Sequence, residues 1–282
     1  TTFFFDMPPP PRLRRSLSPA ARSRARGTLT IVGVGLAGPA HVTRETLGAI
    51  RAAEKRFVLV ADLLTLEWLL TLAPGAENLV DSYGVGRSRD DTYEEIVERL
   101  LAPVRQGRRV CGVFYGHPGV FANSPHEAIR RARAEGYEAR MLPGVSALDC
   151  LFADIGLDPG EVGCQEHEAT DFLLRRRRFD PCSGLVLWQI CVVGVADFRE
   201  EALWSREGLG ILAERLLETY PADHEVVVYE ATTLPVAPSK ILRLPLAALA
   251  AADVTAISTL YVPPLPDRET DMEMLRRLGF GT

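Results

Sequence analysis

Short apolar runs alternate with stretches of helical periodicity through the first half of the chain. Five runs have the length and β-branched content of buried strands: residues 29–33, 56–60, 78–81, 109–114 and 137–142. Four stretches repeat apolar positions at helical spacing: residues 43–53, 63–72, 92–106 and 124–135. Strands that alternate with helices form parallel or mostly parallel sheets, because parallel strands need crossovers. We therefore predict an α/β domain over residues 27–141.

The second half continues this alternation with more antiparallel character. Helical patterns cover residues 146–155, 208–220 and 246–252, and strand patterns cover residues 185–189, 225–229, 240–244 and 256–262. These elements predict a second α/β domain over residues 142–264. A tail over 265–282 includes a last helix, predicted at 267–278. Residues 1–26 are rich in proline and arginine and predict a flexible arm, in which Met7 is an alternative start.

Composition and charge exclude several classes of protein. The chain has 282 residues, of which 47% are hydrophobic and 24% charged, as in ordinary globular proteins. Its net charge of -5 gives no reason to expect a nucleic-acid partner. The five cysteines form no C-x-x-C pair and the five histidines are scattered, so we expect neither disulfides nor a metal site. No apolar run reaches membrane-spanning length, which favours a soluble, cytoplasmic protein.

Three glycines after the first strand have the spacing of a dinucleotide-binding loop. Gly33, Gly35 and Gly38 read G-x-G-x-x-G between a predicted strand and a predicted helix. The acidic partner that such loops need about 20 residues later would be Glu54 or Asp62, and only Asp62 follows a strand. A dehydrogenase is therefore a minor alternative.

The run GVFYGHPGVF over residues 112–121 is more informative. Two glycines and a proline after a buried strand build a tight loop in which backbone groups approach a ligand closely. Tyr115 and His117 would lie beside that ligand. The alternative is a structural turn in which both side chains only cap the sheet.

Together with two other segments, this loop resembles the tetrapyrrole-methylase superfamily. The glycine-rich first strand, the Gly-x-Pro loop and the later Pro-Gly-Val-Ser segment occur in the order of that superfamily. The sequences ARMLPGVSALDCLFADIGLDP (139–159), LVLWQ (185–189) and GVADF (194–198) look more specifically like borosin peptide α-N-methyltransferases. The resemblance implies two α/β domains with a cleft for S-adenosyl-L-methionine (SAM) between them, and methylation of peptide backbone nitrogens with S-adenosyl-L-homocysteine as product.

The resemblance also implies the catalytic residues. The segment YGVGRSRDDTY over residues 83–93 matches the catalytic stretch of the family, which makes Arg89 and Tyr93 the leading candidates, with Tyr83 and Tyr115 beside them. Without the resemblance, this segment would be interpreted as a solvated loop before a helix capped by Asp91 or Thr92. By the same resemblance the cofactor contacts are Tyr115, His117, Val120, Phe121, Ser146, Ala147, Gln189, Ala231, Ser258 and Thr259.

These residues suggest how a backbone amide would react. An amide nitrogen is a poor nucleophile, because it shares its lone pair with the carbonyl group. Removing its proton needs a base, and a guanidinium near a tyrosine favours the phenolate form. We therefore hypothesise that Arg89 tunes Tyr93 or Tyr83 as that base, while Arg89 or a tyrosine hydroxyl stabilises charge on the carbonyl oxygen.

The chain departs from the family in two places. The loop after Tyr83 is shorter, so a second tyrosine expected there is missing, and only 18 residues follow Pro264. We interpret the chain as a split member whose substrate is a separate ribosomally made precursor peptide. The family also implies a homodimer. The arginines at 175–178 most resemble a solvated surface, with an acidic leader segment as the alternative partner.

Two other functions remain open at this point. The same cleft would serve methylation of a tetrapyrrole or another small molecule. A chain that kept the fold without catalysis would bind SAM or a peptide and transfer no methyl group. Methyl transfer to a peptide would distinguish a peptide methyltransferase from both of these alternatives.

Overall fold

The computed structural model describes residues 27–60, 62–83, 88–195, 206–234, 236–266 and 270–280. Its first sheet is entirely parallel, with the strand order β3-β2-β4-β1-β5. The strands are β1 (Thr28–Gly33), β2 (Lys55–Leu59), β3 (Glu77–Asn78), β4 (Arg109–Phe114) and β5 (Glu138–Leu142). From β1 the chain crosses β4 to reach β2, and from β4 it crosses β1 to reach β5.

Helices cover both faces of this sheet. They are α1 (Arg44–Ala52), α2 (Leu63–Leu72), α3 (Arg89–Arg105) and α4 (Asn123–Ala134). Because side chains of a strand alternate between faces, Ile31 joins the core under α3 and α4, whereas Val32 joins the core under α1 and α2. A parallel sheet is apolar on both faces for this reason.

The second sheet is mixed, with the strand order β6-β7-β10-β8-β9. Only β6 and β7 pair in parallel, and the other pairs are antiparallel. Its strands are β6 (Cys164–Glu168), β7 (Gly184–Trp188), β8 (Glu225–Glu230), β9 (Lys240–Pro245) and β10 (Thr259–Val262), and the helices of the second half are α5 (Ala147–Ile155), α6 (Pro159–Val162), α7 (Ala169–Leu174), α8 (Arg206–Leu217) and α9 (Met272–Arg277). Helix α5 packs on one face and α7 with α8 on the other.

Several predicted elements differ from the structure. The strand predicted at 78–81 is only Glu77–Asn78, followed by a 3-10 turn over Val80–Ser82, and the helix predicted at 246–252 is a 3-10 helix over Leu246–Ala251. Strand β6 and helix α7 lie in a stretch for which no regular element was predicted. Strand β6 has the sequence CQEHE, which shows no apolar alternation, and it forms because it pairs along β7 at the sheet edge.

The predicted α/β class is confirmed, with two sheets that occupy successive parts of the chain. The domain bounds at 27–141, 142–264 and 265–282 stay predictions. Of the arm at 1–26 nothing is described. In the part of the chain that the structure describes, no helix has the length and apolarity to cross a membrane.

Candidate active site

Three loops meet at the carboxyl ends of β1, β4 and β5. A Cβ atom on Gly33 would lie 2.4 Å from the carbonyl oxygen of Gly116, and one on Gly144 would lie 2.3 Å from the same oxygen. The backbones of Gly35 and Gly116 exchange two hydrogen bonds, of 3.2 and 2.8 Å. Only glycine permits backbones to approach this closely. We call this contact of Gly33, Gly35, Gly116 and Gly144 the glycine junction.

The position of the glycine junction follows from the topology. The chain leaves the adjacent strands β1 and β4 in opposite directions across the sheet. Open α/β sheets bind their ligands outside the carboxyl ends of strands that diverge in this way. The fold therefore places a ligand cleft where the sequence concentrates glycine.

The structure does not favour a dinucleotide-binding loop. Helix α1 begins only at Arg44, six residues after Gly38. In a dinucleotide site the helix starts within the glycine motif, so that its N-terminus faces the pyrophosphate. Asp62, the acidic candidate, caps α2 by accepting a hydrogen bond of 2.8 Å from the Thr65 amide.

A cavity of about 380 Å³ opens beside the junction, between the two sheets. Its walls come from the loop after β1, from α5 and from the turn after β8. The lining residues are Ala37, Ala40, His41, Val145, Asp149, Cys150, Ala153, Asp154, Thr232 and Ser239. Nδ1 of His41 accepts hydrogen bonds from the Leu36 and Ala37 amides, so its other ring nitrogen carries the proton when the ring is neutral. The volume lies within the range of small-molecule sites.

Tyr115 follows β4 at the junction, and 52% of its surface is exposed. Its amide donates to the Leu59 carbonyl, which fixes the backbone at the end of β2. Desolvation of the hydroxyl raises the pKa of Tyr115, and the nearby Tyr93 hydroxyl raises this pKa further. The structure thus brings together Tyr115 and Tyr93, two of the four predicted catalytic residues.

Tyr83 and Arg89 stand on either side of a segment, 84–87, that lies outside the described residues. Tyr83 is partly buried against the core under α3 and α4. Arg89 is the first residue of α3, and its side chain lies outside the described residues. The helix is capped by Ser88, whose hydroxyl accepts from the Asp91 amide, so the predicted caps Asp91 and Thr92 are wrong.

Phe121 and Gln189 have left-handed backbones, with φ of 49° and 60°. Such conformations are strained for residues other than glycine and are concentrated at functional sites. The Phe121 ring packs against Trp188 of β7 with centroids 5.0 Å apart, so the loop after β4 contacts the end of the second sheet. Both residues are predicted cofactor contacts, and both lie where the loop after β4 meets the end of β7.

His117 and Val120 form a turn within this loop. Nδ1 of His117 accepts from the Gly119 amide at 2.9 Å, and the His117 carbonyl accepts from the Val120 amide at 3.1 Å. One ring nitrogen of His117 is therefore committed to the loop, so only the other can face a ligand.

Ser146 and Ala147 lie just after the junction, at the start of α5. Ser146 and Asp149 form a reciprocal capping box, in which the Ser146 hydroxyl accepts from the Asp149 amide and the Asp149 carboxylate accepts from the Ser146 amide. This box fixes the first turn of α5, so that Ala147 packs on the second sheet.

The second sheet contributes Ala231, Ser258 and Thr259. Ala231 packs against the core beneath α5, and Thr259 begins β10 opposite Tyr229 of β8. The Ser258 hydroxyl donates to Glu230 at 2.6 Å and accepts from the Thr255 amide at 2.8 Å. Its proton is therefore donated within the protein, and its contact with the cofactor stays a prediction.

Glu230 is a residue that sequence reasoning missed. It lies between Tyr229 and Ala231 at the end of β8, its side chain is largely buried, and Lys240 and Ser258 both bind it. A carboxylate directly after the apolar run of a central strand was the signal that could have found it.

In the described part of the chain, the arginine run at 175–178 and the possible metal ligands lie outside this region or form no site. Arg175 and Arg177 both pair with Asp171, and the whole arginine run is exposed, so binding of an acidic leader stays a prediction. Within the described ranges, no three histidine, cysteine, aspartate or glutamate side chains group as metal ligands.

A family model and several relatives match this arrangement of loops and sheets. The model described as Tetrapyrrole (Corrin/Porphyrin) Methylases matches residues 28–250, and the chain belongs to this family. The uroporphyrin-III-C-methyltransferase of Thermus thermophilus superimposes with a TM-score of 0.60 and 24% identity, covering 84% of this chain and 92% of that one. The methyltransferase CobJ gives a TM-score of 0.57 at 20% identity, over 86% and 97% of the two chains. At this identity the two structures show the fold alone.

The chain is more similar in sequence to fungal proteins that combine a methyltransferase with a cyclic peptide precursor. It is 43% identical to the gymnopeptides precursor of Gymnopus fusipes, over 92% of this chain and 62% of the relative. It is 41% identical to the omphalotin A precursor of Omphalotus olearius, over 89% and 61%. A type III borosin precursor of Anomoporia bombycina is 40% identical over 97% of this chain and 32% of its own length. The chain is thus a borosin homologue that spans about three fifths of the length of the first two relatives.

Proposed function

We propose that this chain is a SAM-dependent methyltransferase that methylates backbone nitrogens of a ribosomally made precursor peptide. The observation that carries the proposal is its identity of about 40% with borosin precursors over about nine tenths of its length. The site supports it, because Tyr115 and Tyr93 lie near each other where β4 ends beside the glycine junction. The proposal includes a precursor peptide that is a separate molecule.

The cofactor would bind where the glycine junction meets the second sheet. The strained backbones at Phe121 and Gln189, and the small side chains of Ala147 and Ala231 at the second sheet, would contact the cofactor there. Glu230 adds an acceptor held in place by Ser258 and Lys240. When bound, SAM supplies an electrophilic methyl group, and the residues named here would orient it.

The tyrosines would divide the proton chemistry. Because its pKa is raised, the Tyr115 hydroxyl stays protonated at neutral pH and can donate a hydrogen bond to the amide carbonyl. A donor at that oxygen stabilises the negative charge that builds as the N–H proton leaves. Tyr93 or Tyr83, tuned by Arg89, would accept that proton. Tyr115 is therefore assigned as donor and not as base.

The first test is a methyl-transfer assay. The purified chain would be incubated with SAM and the peptide encoded beside its gene, supplied separately, and the peptide analysed by intact and fragment mass spectrometry. Mass gains of one methyl group that fragment ions locate on backbone nitrogens support the proposal. Arg89→Lys should lose most of the activity, because lysine lacks the planar fork of arginine. Near-normal turnover in that variant would reject the role of Arg89.

Two outcomes would point elsewhere. Methylation of a tetrapyrrole precursor without methylation of peptides would assign the cleft to a small molecule, as the description of the family suggests. Binding of SAM without transfer to either substrate would identify a non-catalytic binding module. Both outcomes contradict the peptide proposal.

A homodimer is part of the same proposal, because the resemblance implies one. Helix α2 supports it: Leu63 is 75% exposed and Leu64 is 62% exposed, although both lie in an apolar helix. Exposed apolar surface of this kind is typical of protein interfaces. Light scattering after size exclusion should give twice the mass of the chain, and a monomer at micromolar concentration would contradict this.

A further inference from the structure

We propose that Ser82, Glu95 and Arg99 are positioning residues that hold Tyr83 in place for the reaction. The inference rests on the proposed function, since Tyr83 is one of the candidate bases. It concerns three residues that neither the sequence resemblance nor the comparisons assign. The observation behind it is a set of hydrogen bonds between the turn before Tyr83 and helix α3.

Ser82 is the centre of this set. Its side chain is completely buried, and its hydroxyl lies between a carboxylate and a guanidinium. The hydroxyl donates to Oε1 of Glu95 at 2.8 Å and accepts from Nη1 of Arg99 at 2.9 Å. A buried hydroxyl with charged partners on both sides has one orientation, because turning it away would leave both charges without this bond.

Arg99 extends the contact to the preceding strand. Its Nη2 donates to the Asn78 carbonyl at 3.1 Å and lies 3.5 Å from Oε2 of Glu77. The planar guanidinium therefore binds β3 and the turn after it at the same time, which lysine could not do. The backbone from Glu77 to Ser82 is in this way fixed to α3.

Tyr83 inherits its position from that backbone. Its amide donates to the Val80 carbonyl within the same 3-10 turn, and its ring packs on the core under α3. Tyr93 lies in the first turns of the same helix, two residues before Glu95. The contact thus sets two candidate catalytic tyrosines on one rigid frame, although they are ten residues apart in sequence. A shift of about 1 Å at a reacting group can cost about a hundredfold in rate.

The test combines kinetics with a direct signal from Tyr83. All seven tyrosines would be replaced by 3-fluorotyrosine, and the fluorine resonance of Tyr83 would be assigned with Tyr83→Phe. Turnover would be measured with the peptide that accepts methyl groups in the assay above, at a temperature well below melting. The rate would be divided by the number of SAM-binding sites, which a titration with SAM determines. Titration removes any effect of a smaller folded fraction, so a merely structural role would leave kcat unchanged.

We expect Ser82→Ala and Arg99→Lys to shift the Tyr83 resonance and lower kcat by about tenfold or more, with little change in KM for SAM. Glu95→Gln keeps an acceptor for Ser82 and should retain most of the rate. Arg105→Ala is the matched control, because Arg105 lies on the same helix and pairs with Glu98 and Glu135. Arg105→Ala should change neither the Tyr83 resonance nor kcat.

An unmoved Tyr83 resonance in Ser82→Ala, or an unchanged kcat per titrated site, would overturn the inference. The proposed function fails differently, since the wild-type chain would then transfer no methyl group to peptides. If Ser82→Ala shifts the Tyr83 resonance in a chain that methylates no peptide, Ser82 still positions Tyr83, but Tyr83 has no catalytic role in peptide methylation.

Discussion

The surroundings of Tyr115 support the role proposed for it. A tyrosine that acts as a base needs a lowered pKa, yet desolvation and the neighbouring Tyr93 raise the pKa of Tyr115. Its hydroxyl is therefore a hydrogen-bond donor throughout the neutral range. The sequence resemblance implies that all four candidates are catalytic, and the raised pKa of Tyr115 supports the proposal that it is the donor.

Tyr115→Phe should lower kcat by about a hundredfold, as for loss of a donor to a developing oxyanion, with a small effect on KM for SAM. The measurement is single-turnover methyl transfer at pH 7 and pH 9. Because Tyr115 stays protonated at both values, the ratio of wild type to variant should be the same. A ratio that collapses at pH 9 would mean that Tyr115 ionises there, contrary to this assignment.

Two buried tyrosines of the second half form a natural comparison. The Tyr220 hydroxyl is buried without a hydrogen-bond partner among the described residues, whereas the Tyr229 hydroxyl donates to Asp154 at 2.7 Å. An unpartnered buried hydroxyl costs roughly 1–3 kcal/mol, and a satisfied one stabilises the fold. The two hydroxyls therefore contribute to stability with opposite signs.

Tyr220→Phe should leave the free energy of unfolding unchanged or raise it by about 1 kcal/mol, while Tyr229→Phe should lower it by about 1–2 kcal/mol. Urea titrations followed by circular dichroism would measure both. A clear loss of stability in Tyr220→Phe would reveal a partner for its hydroxyl and contradict the comparison.

At the scale of elements, the glycine junction determines the cleft. Strands β1, β4 and β5 end at the same sheet edge, but their loops touch only because Gly33 and Gly144 lack side chains, and Gly116 between them has a left-handed backbone with φ of 60°. A Cβ atom at this contact has backbone as its neighbour, which cannot move aside as a flexible side chain would.

Gly144→Ala should separate the loops, lower the free energy of unfolding by about 1–3 kcal/mol and abolish measurable SAM binding by calorimetry. The matched control is Gly48→Ala in α1, where an added Cβ meets no atom within 4 Å. That variant should be more stable by about 0.5–1 kcal/mol, because alanine favours the helix. Normal SAM binding by Gly144→Ala would show that the junction does not form the cofactor site.

At the scale of the whole molecule, alkaline pH should destabilise the fold, because burial raises the pKa of weakly acidic groups in both halves of the chain. Burial raises the pKa of Tyr220 and of Tyr261 to about 12, and it also raises the pKa of Tyr229. In the unfolded chain these groups ionise near pH 10. A raised pKa in the folded state gives stability that is complete below pH 10 and is lost as the pH rises towards 12.

Burial also raises the pKa of Cys111 to about 12 and of Cys150 and Cys164 to about 11. Urea unfolding between pH 8 and pH 11.5 should therefore show a loss of stability that begins near pH 9, where the cysteines of the unfolded chain ionise, and that steepens above about pH 10, where its tyrosines ionise. Each buried tyrosine contributes about 1.4 kcal/mol per pH unit in that window. Tyr220→Phe should reduce the dependence of the unfolding free energy on pH by about 1.4 kcal/mol per pH unit in this window. A stability that stays flat to pH 11.5 would contradict the raised pKa values.

The sequence alone determined the class of fold and most of its elements. Periodicity and strand length predicted α2 and β4 with the bounds found in the structure, because long apolar runs between clear breakers leave little choice of element. The motifs around Tyr115 and Ser146 were sufficient for the family, since glycine, proline and serine at these spacings each meet a local backbone need.

Tertiary structure decided what no local pattern carries. Strand β6 forms because it pairs with the edge of β7. Glu230 is identified only in the folded chain, where Ser258 and Lys240 lie within hydrogen-bond distance of it. The buried Ser82 that fixes Tyr83 is likewise an ordinary serine in the sequence. Local propensity comes from a residue and its neighbours in the chain, whereas pKa shifts, strained loops and hydrogen-bond partners depend on groups that meet only after folding.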